Sequence, residues 1–225
     1  MPDKKLPWYS VVGAIVHKDA LCELRSSYAF SALTMFALVT LASISMSLAG
    51  AVVSSALAAA LLWVILFFCA MAGLSRVFVQ EQEAGTLFTL RLYANGQAVY
   101  FGKTLFNILL LIAVTVLVIP LFVILLNVTI PLWLEFGAVL VLGDVGIATI
   151  ATLTALMVCQ AGGKGALFTV VTFPLLLPQF LMAIAATACV FDGILPGVQD
   201  FVFMAGYDIT VIIAASILFD YLWEN

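Results

Sequence analysis

The chain has 225 residues, of which 65% are hydrophobic and only 9% charged, with a formal net charge of −4. A soluble domain is typically about 45–50% apolar and about 25% charged, so no water-soluble core hides this much apolar surface. The net charge gives no support for nucleic-acid binding, which needs a basic face, and no nucleic-acid partner is expected.

In chain order, the first segment holds Lys4, Lys5, Lys18 and Arg25 together with Val11, Val12, Ile15, Val16, Leu21 and Leu24. This mixture predicts a helix lying in a membrane interface. It carries no cleavable signal pattern, because the first apolar block is full length and is preceded by mostly polar or amphipathic residues. From Ser26 to Ser75 no charged residue occurs, and since a span needs about 20 residues this stretch reads as two helices. Span 1 is placed at 27–49 and span 2 at 55–74, joined by an outer turn at Gly50 and Ser54–Ser55.

Arg76 to Lys103 is the longest polar segment, with Leu87, Phe88, Leu90 and Leu92 interrupting it. An amphipathic helix followed by a turn at Asn95–Gly96 fits this pattern. Span 3 follows at 104–126 with Pro120 inside it, then a short outer turn and span 4 at 134–158, which contains Asp144. A compact inner turn around Lys164 leads to span 5 at 166–190. Here Pro174 and Pro178 each lack an N–H and clash with the preceding turn, which predicts a kink or break, with the outer part continuing as a re-entrant element before Asp200. Span 6 at 203–223 contains Asp208. The fold class is therefore all-α: one polytopic membrane domain of six spans over residues 1–225. Six spans put all eight Lys and Arg on one side, and the positive-inside rule makes that side cytoplasmic, with both termini.

Several chemistries are absent. Gly102-Lys103-Thr104 suggests a phosphate loop, but the required upstream position is Gln97 and no strand precedes it. His17 is the one histidine and cannot build a paired metal or haem site. The four cysteines are scattered, with no C-x-x-C pair, and read as packing residues. No catalytic set, metal cluster or cofactor site is expected. Asp144 and Asp208 are the ionisable groups inside spans. A charge there costs about 2.5–3.5 kcal/mol on insertion scales, so each is a functional candidate; the alternatives are a carboxyl bonded to a neighbouring helix's hydroxyl for Asp144 and a hydrated carboxyl one or two turns from the outer edge for Asp208.

Six spans, an N-terminal elbow helix and an amphipathic segment after span 2 resemble an ABC exporter permease. The closer resemblance is to the CcmB family of cytochrome c maturation, also called haem exporter protein B. It is carried by Lys18-Asp-Ala-Leu-Cys-Glu23-Leu-Arg25, Gly73-Leu-Ser-Arg76-Val-Phe78, Glu81-Gln-Glu83-Ala-Gly85-Thr86-Leu87, Gly102-Lys103, Lys164-Gly165 and Phe173-Pro-Leu-Leu-Leu-Pro178. The resemblance implies a bacterial inner-membrane permease working with a CcmA-like ATPase, CcmC- and CcmD-like membrane subunits, the haem chaperone CcmE and a second copy of itself. ATP then sits on the ATPase and haem on partner subunits, and hydrolysis releases the loaded chaperone. An exporter for a lipid or drug, and a non-transport assembly scaffold, are the alternatives. In the permease reading, Glu81, Glu83, Gly85 and Thr86 form the ATPase-coupling element. Two carboxylates two residues apart splay across a helix face toward a docked partner. Gly85 costs about 1 kcal/mol in a helix interior, which points to a close backbone approach or a helix end.

Overall fold

The computed structural model describes residues 7–48, 50–74, 77–83, 85–160 and 165–224. Lys4, Lys5, Arg76 and Lys164, four of the eight basic residues of the topology argument, lie outside them. The described residues form helices joined by short connections, without a strand. In a bilayer every backbone group must be satisfied within its own segment, and long apolar blocks meet that demand as helices.

Helix α1 (Trp8–Ser26) ends where Ser27 turns left-handed at φ 48°, and α2 (Tyr28–Leu48) starts at once. α3 is Ser55–Leu74. Two short helices follow, α4 (Val79–Glu83) and α5 (Leu87–Tyr93). The expected single amphipathic helix is thus split, and Gly85 between them has φ +68° with open space around it. Of the two roles considered for Gly85, the helix end is the one observed. α6 (Gly96–Leu126) is a 31-residue helix, α7 is Trp133–Gln160, α8 is Gly165–Phe191 and α9 is Val198–Glu224. Six helices are long and apolar enough to cross a membrane: Ala29–Leu48, Ser55–Leu74, Gly96–Leu126, Trp133–Gln160, Phe168–Phe191 and Val198–Trp223.

Three expectations need correction. The helix that carries span 3 starts eight residues before position 104. Asn95 is a helix cap, its side chain accepting from Ala98 N at 3.1 Å, rather than part of a turn. Gly96 then permits a close approach that a side chain would forbid: a Cβ there would lie 2.6 Å from Asp220 Oδ1 and 2.9 Å from the Asp220 Cα. Span 6 starts at Val198 rather than 203, because Asp200 accepts from Gly197 N at 2.9 Å and closes the first turn. Finally, of the kink or break expected at Pro174 and Pro178, the break and the re-entrant element are not observed, because α8 is one continuous helix across both prolines. Each proline removes one ladder donor, whereas a break would leave several backbone groups unpaired in apolar surroundings. The Tyr207 hydroxyl of α9 donates to Leu175 O in this disturbed stretch.

α7 is the central post, buried along most of its length and packed against α3, α6, α8 and α9. Small residues make this possible. At Gly143 an added Cβ would stand 1.9 Å from Cη2 of Trp63, whose Nε1 donates to Thr187 Oγ1 at 2.9 Å. α2 and α9 are far less covered and turn most of their surface outward. α1 crosses α6, with Ile15 seated over Gly102.

Candidate functional site

At one end of the bundle, α1, α4 and the start of α6 converge on a buried group of charges. At 1.5 Å per residue α6 is about 46 Å long, more than a hydrocarbon core of about 30 Å needs. Its first two turns therefore project beyond the apolar span and carry Lys103. Lys103 is 2% exposed, a burial that an ammonium tolerates only when paired. Its Nζ lies 2.8 Å from Glu81 Oε1 and 2.9 Å from Asp19 Oδ2. Lys18 bonds to the same Glu81 oxygen and stands 3.2 Å from Asp19 Oδ1. The Thr86 hydroxyl donates to Glu81 Oε2 at 2.5 Å, and the Phe78 ring lies beneath the Lys103 ammonium at 5.8 Å.

Two carboxylates and two ammoniums thus neutralise one another across three elements. Burial works to raise the Glu81 pKa, but Lys103, Lys18 and Thr86 outweigh it and hold the carboxyl at about 2. Burial likewise works to lower the Lys18 pKa, and Glu81 and Asp19 outweigh it and hold the ammonium above its ordinary value. Mechanically, the cluster fastens α4 to α1 and to α6. The other side of the α4–α5 segment is fastened too. Cys159 donates to Gln82 Oε1 at 3.1 Å, Arg91 lies over the Trp223 ring at 5.4 Å, and Trp223 Nε1 donates to Ala94 O at 3.2 Å.

The expected coupling residues therefore divide. Glu81 faces inward and belongs to the ion cluster, Thr86 holds it in place, and Gly85 is the hinge between the short helices. Glu83 is on the exposed side. The outward surface of α5 is instead apolar: Phe88 and Leu92, one helical turn apart, are 72% and 70% exposed. Lys18, Asp19 and Lys103 join the candidate site through these ion pairs and are not among the residues expected there. The available signal was Lys103, which shares a helical face with Tyr100, Asn107 and Leu110, all buried.

Asp144 and Asp208 stand apart from this cluster. Asp144, on α7, is 1% exposed, and its Oδ1 has no hydrogen-bond partner among the described residues. Asp208, on α9, is 3% exposed with neither oxygen hydrogen-bonded among the described residues; its Oδ1 lies over Gly146, where Gln179 of α8 also packs. Among the described residues no group of three potential metal-ligating side chains occurs. His17 is exposed on α1.

An N-terminal helix, a pair of short helices after the second span, and six helices long enough to cross a membrane follow one another in this order. The sequence profile of the CcmB protein family matches residues 10–219, nearly the whole chain. The chain belongs to the CcmB family. No curated protein sequence matches it. CcmB-family membership makes it a membrane component of the haem-export ABC system of cytochrome c maturation, a permease subunit rather than an enzyme, in company with other Ccm subunits. In this CcmB chain the matched region includes all four members of the ion cluster and both short helices.

Proposed function

We propose that this subunit receives the motion of a separate CcmA-like ATPase through α4–α5 and passes it along α6 to the far side of a bacterial inner membrane. The released work there frees a haem-loaded CcmE-like chaperone. CcmC- and CcmD-like subunits hold the haem, a second copy of this chain completes the permease pair, and ATP stays on the ATPase, so this chain itself holds no cofactor. The basic end is cytoplasmic, as are both termini, in keeping with the segregation of Lys and Arg.

The observation that carries this reading is the buried ion cluster. A load applied to α4 is delivered through Glu81 to Lys103 and hence to the projecting end of a single 31-residue helix. Exposed Phe88 and Leu92 supply the docking face, since two large apolar side chains at adjacent helical turns are the usual anchor for a groove on a partner. Reversing Glu81 does not test docking, because a third cation beside Lys18 and Lys103 damages the subunit itself.

The test is Phe88→Asp combined with Leu92→Asp. Both positions are exposed, so the variant accumulates in the membrane at the parental level. It loses co-purification of the ATPase and cytochrome c maturation. Wild-type recovery of the ATPase with this variant overturns the docking assignment.

A further inference from the structure

We infer that the chain binds a phospholipid with a primary-ammonium headgroup at its cytoplasmic elbow, the headgroup beside Glu23 and Lys18 and an acyl chain between α1, α2 and α6. This goes beyond the coupling reading and needs only that the six helices span a membrane.

Two cavities meet there. One, of about 300 Å³, is lined by Lys18, Asp19, Glu23, Ser26, Glu81 and Lys103 among others. The second, of about 400 Å³, is apolar, with Val16, Leu24, Phe30 and Leu109 in its wall. Glu23, Phe106 and Leu110 line both, so the charged and apolar cavities adjoin at Glu23. A charged chamber adjoining an apolar groove at a membrane interface has the polarity profile of one phospholipid. The interfacial setting is marked by Trp8 and Tyr9, both exposed on the same α1 helix.

The charges choose the headgroup. Three carboxylates, Asp19, Glu23 and Glu81, face two ammoniums, Lys18 and Lys103. Both lysines are engaged by Asp19 and Glu81. Among the described residues Glu23 pairs with no cation. Its Oε1 accepts from Phe30 N at 2.8 Å, which caps the start of α2 and fixes the carboxylate at the boundary of the two cavities. The unmatched negative charge takes an ammonium that donates hydrogen bonds, as in phosphatidylethanolamine. The Lys18 side chain, 41% exposed, is reachable by the phosphate. A glycerol headgroup brings no cation, and a trimethylated one brings no donor.

The test uses the full chain, delipidated in detergent and offered phosphatidylethanolamine, phosphatidylcholine or phosphatidylglycerol of identical acyl composition, with retention read by native mass spectrometry. Phosphatidylethanolamine is retained over the other two by roughly tenfold, the factor one charge-assisted hydrogen bond supplies. Glycerophosphoethanolamine, which has the headgroup but no chains, fails to compete. Glu23→Gln keeps an oxygen for the Phe30 N–H, and so keeps the cap, but abolishes the preference. Leu109→Trp fills the groove and lowers retention of all three lipids. Equal retention of the three lipids, preference for phosphatidylglycerol, competition by the headgroup alone, or an undiminished preference in Glu23→Gln each overturns the site.

Discussion

The ion-cluster end of the bundle buries Lys18, Asp19, Glu81 and Lys103 within one another's reach, whereas the membrane-spanning core buries Asp144 and Asp208 with no ion-pair partner among the described residues. Both regions carry polar groups through folding, but they are held differently. At the ion-cluster end long-range ion pairs fasten α1 and the five-residue α4 to the start of α6. In the core, small residues and close packing do the fastening, and the carboxyls ride on helices already held by Gly143, Gly146 and their neighbours. Removing a charge is therefore costly in the first region and cheap in the second.

The largest effect comes from removing one side of the ion cluster. Lys103→Met leaves Asp19 and Glu81 buried with Lys18 alone, and stripping a partner from a buried pair costs about 3–5 kcal/mol. Thermal unfolding in detergent reads this as a large loss of stability. Adding Glu81→Gln to Lys103→Met restores part of it, because one cation and one carboxylate then remain. A Lys103→Met protein that unfolds with the parental profile removes the cluster as the fastening of α4 to α6.

Acid makes the same cut more gently. The Glu81 carboxyl is held at about 2 in the folded chain against an ordinary 4.5, so the unfolded chain binds the proton more tightly. Its stabilisation is complete above pH 4.5 and is lost as pH falls toward 2. At about 1.4 kcal/mol per unit the full loss is roughly 3 kcal/mol. Glu81→Gln flattens stability against pH in this window. An identical acid limb in wild type and Glu81→Gln assigns the acid sensitivity to other carboxyls.

The two regions also differ in how far sequence reveals them. The six spans are legible because each is a local property, an uninterrupted apolar block of sufficient length. The core carboxyls are legible for the same reason, since a charge inside such a block is visible without its surroundings. The ion cluster is not. Glu81 meets Lys18 from 63 positions away and Lys103 from 22, and nothing local tells an inward Glu81 from an outward Glu83. The start of α6 is misplaced for a related reason. Asn95-Gly96 carries the letters of a turn, but Asn95 caps the helix through Ala98 N and Gly96 leaves room for Asp220 and Trp223. The prolines of α8 overstate one outcome, the break. Their local preference to break a helix is real, but the cost of unpaired backbone in an apolar bundle exceeds it.

The smallest effect belongs to the core carboxyls and sharpens the comparison most. Asp144→Asn and Asp208→Asn keep shape and one oxygen, and neither breaks an ion pair. Each therefore changes unfolding stability by no more than about 1 kcal/mol, within the ordinary range for a substitution that opens no cavity and leaves no buried charge alone. At Asp208 the new amide N–H₂ sits near Gln179, whose Oε1 has no hydrogen-bond partner among the described residues, so this variant is the better tolerated of the two. Thermal unfolding of both proteins beside Lys103→Met makes the measurement. A loss at either position as large as that of Lys103→Met places a buried charge partner in the core and ends the distinction between the regions. If stability holds while cytochrome c maturation falls, the carboxyl acts in the work of the complex rather than in holding the bundle together.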